Sequence, residues 1–254
     1  MGIETQANRI IAEDRGEARI AAELALKLGI RVSPRTVRAY WPRELRPNRT
    51  RAQRWMTFVR NHSKAVVACD FAVTVTLHFQ ILYVFLVMEV GSRKLVHVNV
   101  SAHPTSSWTI QQLREAIPSD HAYRWLIHDR SGIFSESVYR AIRSLGIEAL
   151  KTPIRAPQAN AYCERLIGSL RRECLDWFLV LNERHLRIVV REWATHYNHG
   201  RPHRSLGPGI PDPPTGLLVR SQMQRHQLPR DNLIKKRPIL GGLHHEYRVE
   251  EAAA

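Results

Sequence analysis

Three strand-length apolar segments in close succession constrain the fold of this chain more than any other feature: Ala65 to Thr76, Ile81 to Val90 and Lys94 to Val100. The second is almost continuously apolar, broken only by Glu89. The third alternates Val96, Val98 and Val100 with polar neighbours, the period of a half-buried strand. Together they read as a meander. Helices and strands then alternate. Pro104 to Ile117 reads as helix, Arg124 to His128 as a short buried strand, Ser135 to Leu145 as a helix stopped by Gly146, and Ile147 to Leu150 as a strand. A long helix is expected over Ala159 to Phe178 and another over Glu183 to Tyr197. This pattern alone gives an α/β fold with an antiparallel edge.

Ahead of these strands, the chain is helical and basic. Glu17 to Leu28 places Ile20, Ala21, Leu24 and Leu28 on one helical face, and Gly29 ends it. Ser33 and Pro34 open a second short helix through Trp41, with Ser as N-cap and Pro in the first turn. A helix, a tight glycine turn and a basic helix carrying Arg35 and Arg38 give the outline of a helix-turn-helix. An Arg/Pro linker follows, with Arg43, Arg46, Arg49 and Arg51 around Pro42 and Pro47. A further helix, Arg51 to Asn61, turns Trp55, Phe58 and Val59 inward.

Charge follows the same division. The 254 residues hold 38 Lys and Arg against 23 Asp and Glu, a formal charge of +15. Residues 1–64 hold 14 basic and 6 acidic residues, whereas residues 65–215 hold 17 and 13. Such an excess calls for a polyanionic partner, and arginine in preference to lysine favours bidentate grip on phosphate. The longest apolar run is half of what a membrane span needs, and no secretory signal is visible at the N-terminus. Three cysteines without a CxxC spacing fit a reducing compartment and frame neither disulfides nor zinc. The spacing of His196, His199 and His203 is likewise not read as a zinc site, because Gly200 and Pro202 break the helix.

Three acids occupy unusual places. Asp70 interrupts the apolar run Val66-Val67-Ala68-Cys69, where burying a carboxylate is expensive. Asp129 follows the strand Trp125-Leu126-Ile127-His128, and Glu164 stands in the first turns of the long helix. Carboxyl ends of neighbouring strands in an open α/β sheet share one crevice, so Asp70 and Asp129 can meet there, with Glu164 laid over them. Clustered carboxylates repel and want a cation, and oxygen-only ligands select Mg²⁺ or Mn²⁺. Each acid also has a plainer reading: an Asx turn at Asp129, a helix-dipole charge at Glu164, an arginine partner at Asp70.

Several ordered motifs carry a resemblance: Ala-Cys-Asp70-Phe, Ile-His-Asp129-Arg-Ser-Gly, Pro157-Gln-Ala-Asn160-Ala-Tyr-Cys-Glu164-Arg, Arg171-Arg-Glu-Cys-Leu-Asp, and His196-Tyr-Asn-His-Gly-Arg-Pro-His203-Arg-Ser-Leu. Over about residues 15–215 the chain resembles bacterial insertion-sequence transposases with a DDE integrase core, in the retroviral integrase superfamily. The resemblance implies a ribonuclease H-like core, a mixed five-stranded sheet with flanking helices, preceded by a small helix-turn-helix segment. It implies a polynucleotidyl transferase that cleaves DNA at an element's ends and transfers the strand to target DNA. Asp70, Asp129 and Glu164 would be the catalytic residues and would hold two Mg²⁺ or Mn²⁺ ions. The 34 residues between Asp129 and Glu164 are one fewer than the family's usual spacing.

The expected partners are double-stranded DNA, both element ends and target, and further copies of the chain when two ends are synapsed. The expected setting is the bacterial cytoplasm, at the nucleoid. Arg35, Arg38, Arg43, Arg46, Arg49, Arg51, Arg165, Arg171 and Arg172 are the candidate DNA contacts. Asn160 is read as shaping the helix entry, and His128 as packing or DNA contact rather than a general base. The expected divisions are 1–42 as partial helix-turn-helix, 43–64 as linker and helix, 65–205 as catalytic core, and 206–254 as Pro/Gly linker and basic tail with a turn at Gly241 and Gly242. Relatives usually carry a longer helix-turn-helix region, so the rival expectation is a truncated or catalytically silent remnant that only binds DNA.

Overall fold

The computed structural model describes residues 17–40, 49–152, 160–214 and 232–251. It divides into two compact units at Gln53 and Arg54. In the first unit, α1 (Glu17–Leu28) buries Ile20 and Ala21 and is closed by Gly29 at φ 68°, a left-handed conformation that glycine adopts without penalty. Ser33 caps α2 (Pro34–Tyr40), its Oγ accepting from the Thr36 amide at 3.0 Å. The helix α3 (Arg49–Asn61) starts in the first unit and ends in the second, where Val59 is fully buried and Trp55 and Phe58 pack on the core.

The second unit is built on five strands: β1 (Val66–Val75), β2 (Ile81–Glu89), β3 (Leu95–Ser101), β4 (Trp125–His128) and β5 (Glu148–Lys151). Their order is β3-β2-β1-β4-β5. β1, β2 and β3 form the antiparallel meander, and β4 and β5 add in parallel beside β1. This is the mixed five-stranded sheet of a ribonuclease H-like fold. The parallel strands need crossovers, and α4 (Ser106–Ala116) and α5 (Glu136–Ser144) lie on the connections into β4 and β5.

Alternation along β1 separates two cores. Val67 and Cys69 face one side and pack with Leu113, Val138 and Ile142 of α4 and α5. Val66 and Ala68 face the other, against Leu166 and Leu170 of α6 (Ala161–Glu173) and Trp193 of α7 (Glu183–His199). Asp70 shares the parity of Val66 and Ala68, so it belongs to the α6 side.

Two expectations change. The helix expected to reach Phe178 stops at Glu173, because Cys174 leaves helical geometry (φ −143°, ψ −73°) and a 3₁₀ turn follows at Leu175–Trp177. The indole N–H of Trp177 then donates to the Arg172 carbonyl at 2.7 Å, satisfying an acceptor that the helix end would leave open. The region read as a basic tail holds a hairpin, β6 (Asn232–Ile239) and β7 (His244–Glu251), turned through Leu240–Gly242. Its turn buries Ile239 and Leu240 in the α7 core. The Leu240 amide donates to Glu192 at 2.6 Å, and Glu246 meets His196 Nδ1 at 2.8 Å. Gly200 allows that approach, since a Cβ there would overlap the Glu246 carboxylate.

Candidate active site

Register builds the site. The last paired residues of the parallel β1–β4 ladder are Ala68 and Ile127, and each strand places an acid two residues further on, Asp70 and Asp129. The two carboxylates therefore leave adjacent strands at the same level. Glu164, solvent-exposed, stands in the first turn of α6, which packs on β1.

Asp70 is held on both oxygens. Oδ1 accepts from the Phe71 amide and Oδ2 from Asn160 Nδ2, both at 2.8 Å. Its pKa is pushed up to about 6, chiefly by burial. The negative charges of Asp129 and Glu164 raise it further, while the two hydrogen bonds pull it down. The carboxylate thus senses both other acids. Asp129 forms the expected Asx turn, Oδ1 accepting from the Ser131 amide at 3.0 Å. That turn fixes the carboxylate rather than competing with a role for it.

Asn160 departs from its expected part. It occupies the N-cap position, yet its side chain makes no cap hydrogen bond. The amide instead crosses to Asp70 and is 7% exposed, and its Oδ1 has no hydrogen-bond partner among the described residues. The motif Pro157-Gln-Ala-Asn160 marked the residue, but nothing local could name a partner 90 positions away.

His128 is fully buried, stacked on Phe134 with ring centroids 4.1 Å apart, and burial lowers its pKa. It is packing that shapes the loop after β4, as expected. Cys69 and Cys163 are fully buried, and burial drives both thiols well above their usual range, which disfavours the thiolate a nucleophile needs.

Of the arginines read as DNA contacts, Arg35, Arg165, Arg171 and Arg172 are exposed. Arg171 donates to the Val73 carbonyl at 2.9 Å, and the Arg172 guanidinium lies over Gly168. Arg43 and Arg46 lie outside the described residues, as do the side chains of Arg38, Arg49 and Arg51. The three histidines take separate partners: His196 with Glu246, His199 with Asp212, and His203 with the Tyr197 carbonyl.

The donor set of Asp70, Asp129 and Glu164 is oxygen only and suits a hard divalent ion. The negative charges of Asp129 and Glu164 add to burial in raising the Asp70 pKa, and a divalent ion would offset that charge. Among the described residues, no three His, Cys, Asp or Glu side chains are drawn together closely enough to hold one ion.

Residues 145–211 match the family model described as Integrase core domain. That stretch of the chain is similar to an integrase core domain and includes Asn160 and Glu164. The chain is also 38% identical over 86 residues to the insertion element IS476 uncharacterized 39.2 kDa protein of Xanthomonas euvesicatoria, covering 33% of this chain and 24% of that protein. It is 44% identical over 52 residues to the insertion element IS407 uncharacterized 31.7 kDa protein of Burkholderia multivorans, covering 20% and 18%. The chain thus spans a quarter or less of the curated relatives it matches. Among solved structures, a simian T-cell lymphotropic virus intasome in complex with the PP2A regulatory subunit B56 gamma is 15% identical, with a TM-score of 0.49 over 74% of this chain and 70% of that chain. The catalytic core domain of BIV integrase is 16% identical, with a TM-score of 0.42 over 58% and 91%. No described helix is long and apolar enough to cross a membrane.

Proposed function

We propose that the chain is a DNA transposase of the DDE integrase type, a polynucleotidyl transferase that cleaves the ends of an insertion element and joins them to target DNA. The observation that supports this most is the level placement of Asp70, within β1, and Asp129, just past β4, each two residues beyond the last pair of the β1–β4 ladder, with Glu164 near enough to raise the Asp70 pKa. The insertion-element relatives point the same way.

Asp70, Asp129 and Glu164 would hold two Mg²⁺ or Mn²⁺ ions, which supply charge neutralisation and activation of the attacking oxygen in phosphoryl transfer. The chain's own residues do the rest. Asn160 fixes Oδ2 of Asp70, and the Ser131 amide fixes Oδ1 of Asp129, so two of the three carboxylates enter the reaction with set orientations. Arg165, Arg171 and Arg172 follow Glu164 along α6 and bear on the strand being cut. In the first displacement a P–O bond forms to water and the bond to the 3′ oxygen breaks. In the second, that 3′ hydroxyl attacks a target phosphodiester and a target 3′ oxygen leaves.

α1 and α2 serve as the helix-turn-helix that recognises the element's end, with Arg35 and Arg38 on the second helix and Arg43, Arg46, Arg49 and Arg51 on backbone phosphates. We assign residues 1–42 to the partial helix-turn-helix, 43–64 to the linker and helix, and 65–205 to the catalytic core, on which the β6–β7 hairpin of the 206–254 segment packs. The enzyme acts as an oligomer when two ends are held together, at the nucleoid of a bacterial cytoplasm.

The test is end cleavage and strand transfer on labelled duplex with Mg²⁺ or Mn²⁺, comparing wild type with Asp129→Asn. Cutting by wild type alone is the expected result. Equal DNA binding by both proteins with cutting by neither would sink the enzyme and leave a DNA-binding remnant.

A further inference from the structure

A cavity of about 380 Å³ opens beside α6, on the helix row that carries Tyr162, Arg165 and Ser169. The turn between β2 and β3 supplies Arg93 to it, and the segment after α7 supplies Arg204. Three arginines therefore border one space, and no carboxylate is among the described residues that line it. Other arginines of this unit meet acids instead: Arg143 meets Glu136, Arg187 meets Glu183, and Arg201 meets Glu173. Like charges gathered in a cleft repel unless an anion shares it, so the cluster is built for an anionic ligand.

Both flanking walls are set in place. Arg93 has φ 68°, uncommon for a residue with a side chain, and its amide closes the turn onto the Glu89 carbonyl at 3.0 Å. Its guanidinium lies 4.1 Å from the Tyr162 ring centroid. Beside Arg204, the buried His203 sets its ring edge-on to Tyr197 at 4.6 Å, and its amide donates to the Gly209 carbonyl at 2.9 Å.

Size and ring geometry narrow the ligand. The volume falls at the small end of the roughly 300–1,000 Å³ typical of ligand sites, room for a nucleotide unit rather than a bare ion. The ring of Tyr162 is covered by Arg93, and Tyr197 packs against Trp193 at 5.0 Å as well as His203. Both tyrosine rings are therefore already engaged by protein and make poor platforms for stacking a base. The site suits backbone rather than base recognition.

We infer that this cavity seats one backbone phosphate of a DNA strand between Arg93, Arg165 and Arg204, without reading its bases. The inference rests on the reading of the chain as a DNA-acting enzyme and adds to it a phosphate seat one helix row away from Glu164.

The test titrates the full chain with labelled duplex over a range of salt, for wild type, Arg93→Gln/Arg204→Gln, Arg204→Gln alone, and Arg143→Gln as a control. The expected result is weaker binding by the double variant, with the slope of log K against log salt shallower by about one. Arg204→Gln should move part of the way, Arg143→Gln should match wild type, and scrambling the duplex should leave the difference unchanged. Wild-type affinity and slope in both pocket variants, with unchanged melting temperature, would overturn the seat. If the double variant melts early, Arg204→Gln alone decides. Millimolar inorganic phosphate that raises the melting temperature of wild type but not of the double variant, with no change in DNA slope, would reassign the cavity to free anions and overturn the strand assignment. Wild type that binds DNA with the Arg-dependent slope yet never cuts keeps the seat and sinks the transposase. Wild type that cuts while both pocket variants bind as it does sinks the seat alone.

Discussion

Asn160 donates a 2.8 Å hydrogen bond from Nδ2 to Oδ2 of Asp70, tying the start of α6 to β1. It links the start of the helix that carries Glu164 to the first acid itself, whereas the other hydrogen bond between these elements, from Arg171, reaches the Val73 carbonyl. Asn160→Ala should therefore slow cleavage without abolishing it, by roughly ten- to a hundred-fold for a lost hydrogen bond to a charged group. It should also move the acid limb of the pH–rate profile upward, because that bond holds the Asp70 pKa down. An unchanged rate and profile would reduce Asn160 to a packing residue.

Asp70 also makes stability depend on pH. Its folded pKa of about 6 stands above the ordinary aspartate value of 3.8, so between these values the native state holds more protons than the unfolded state. In metal-free buffer the contribution of Asp70 should be fully present below pH 4 and be lost as pH rises through 6, by at most about 3 kcal/mol. Asp70→Asn should flatten the decline, and thermal melts at pH 4 and pH 7.5 measure it. A wild-type decline that persists in Asp70→Asn would assign it to other groups.

Divalent ions should offset that charge. Mg²⁺ or Mn²⁺ at about a hundred times its Kd should add roughly 2.7 kcal/mol to the stability of wild type at pH 7.5. Asp129→Asn should lose most of the gain. Equal stabilisation of both proteins would place the ion elsewhere.

Gly200 tests the hairpin. Any side chain there meets the Glu246 carboxylate and His196 Nδ1, so Gly200→Ala should release the β6–β7 hairpin from α7. A cost of about 1–3 kcal/mol is expected for such overpacking. Hydrogen exchange should show lost protection in β6 and β7, with β1 and β2 unchanged.

Most of the sheet was legible from sequence, because apolar strands of this length announce themselves: all five expected strands appear within a residue or two of their predicted bounds. Asp70 stood out for a physical reason, a carboxylate inside an apolar run. What local reading could not reach were relations between distant residues. Trp177 ends α6 by reaching back to a carbonyl, a choice invisible to periodicity. The hairpin is anchored to α7 through Leu240 on Glu192 and Glu246 on His196, contacts that its basic composition alone did not reveal. The bond from Asn160 to Asp70 and the gathering of Arg93 with Arg204 likewise depend on contacts made only in the folded chain.

The parallel pairing of β1 with β4 joins residues 59 positions apart, Ala68 with Ile127. Contacts of that sequence separation carry a large loop-closure cost and form slowly. Asp70 and Asp129 therefore come level only once this long-range pairing has closed. A nascent or half-folded copy would hold its arginines and could cling to DNA, but it would lack the aligned carboxylates. Chain topology thereby delays alignment of the two acids until the sheet has closed.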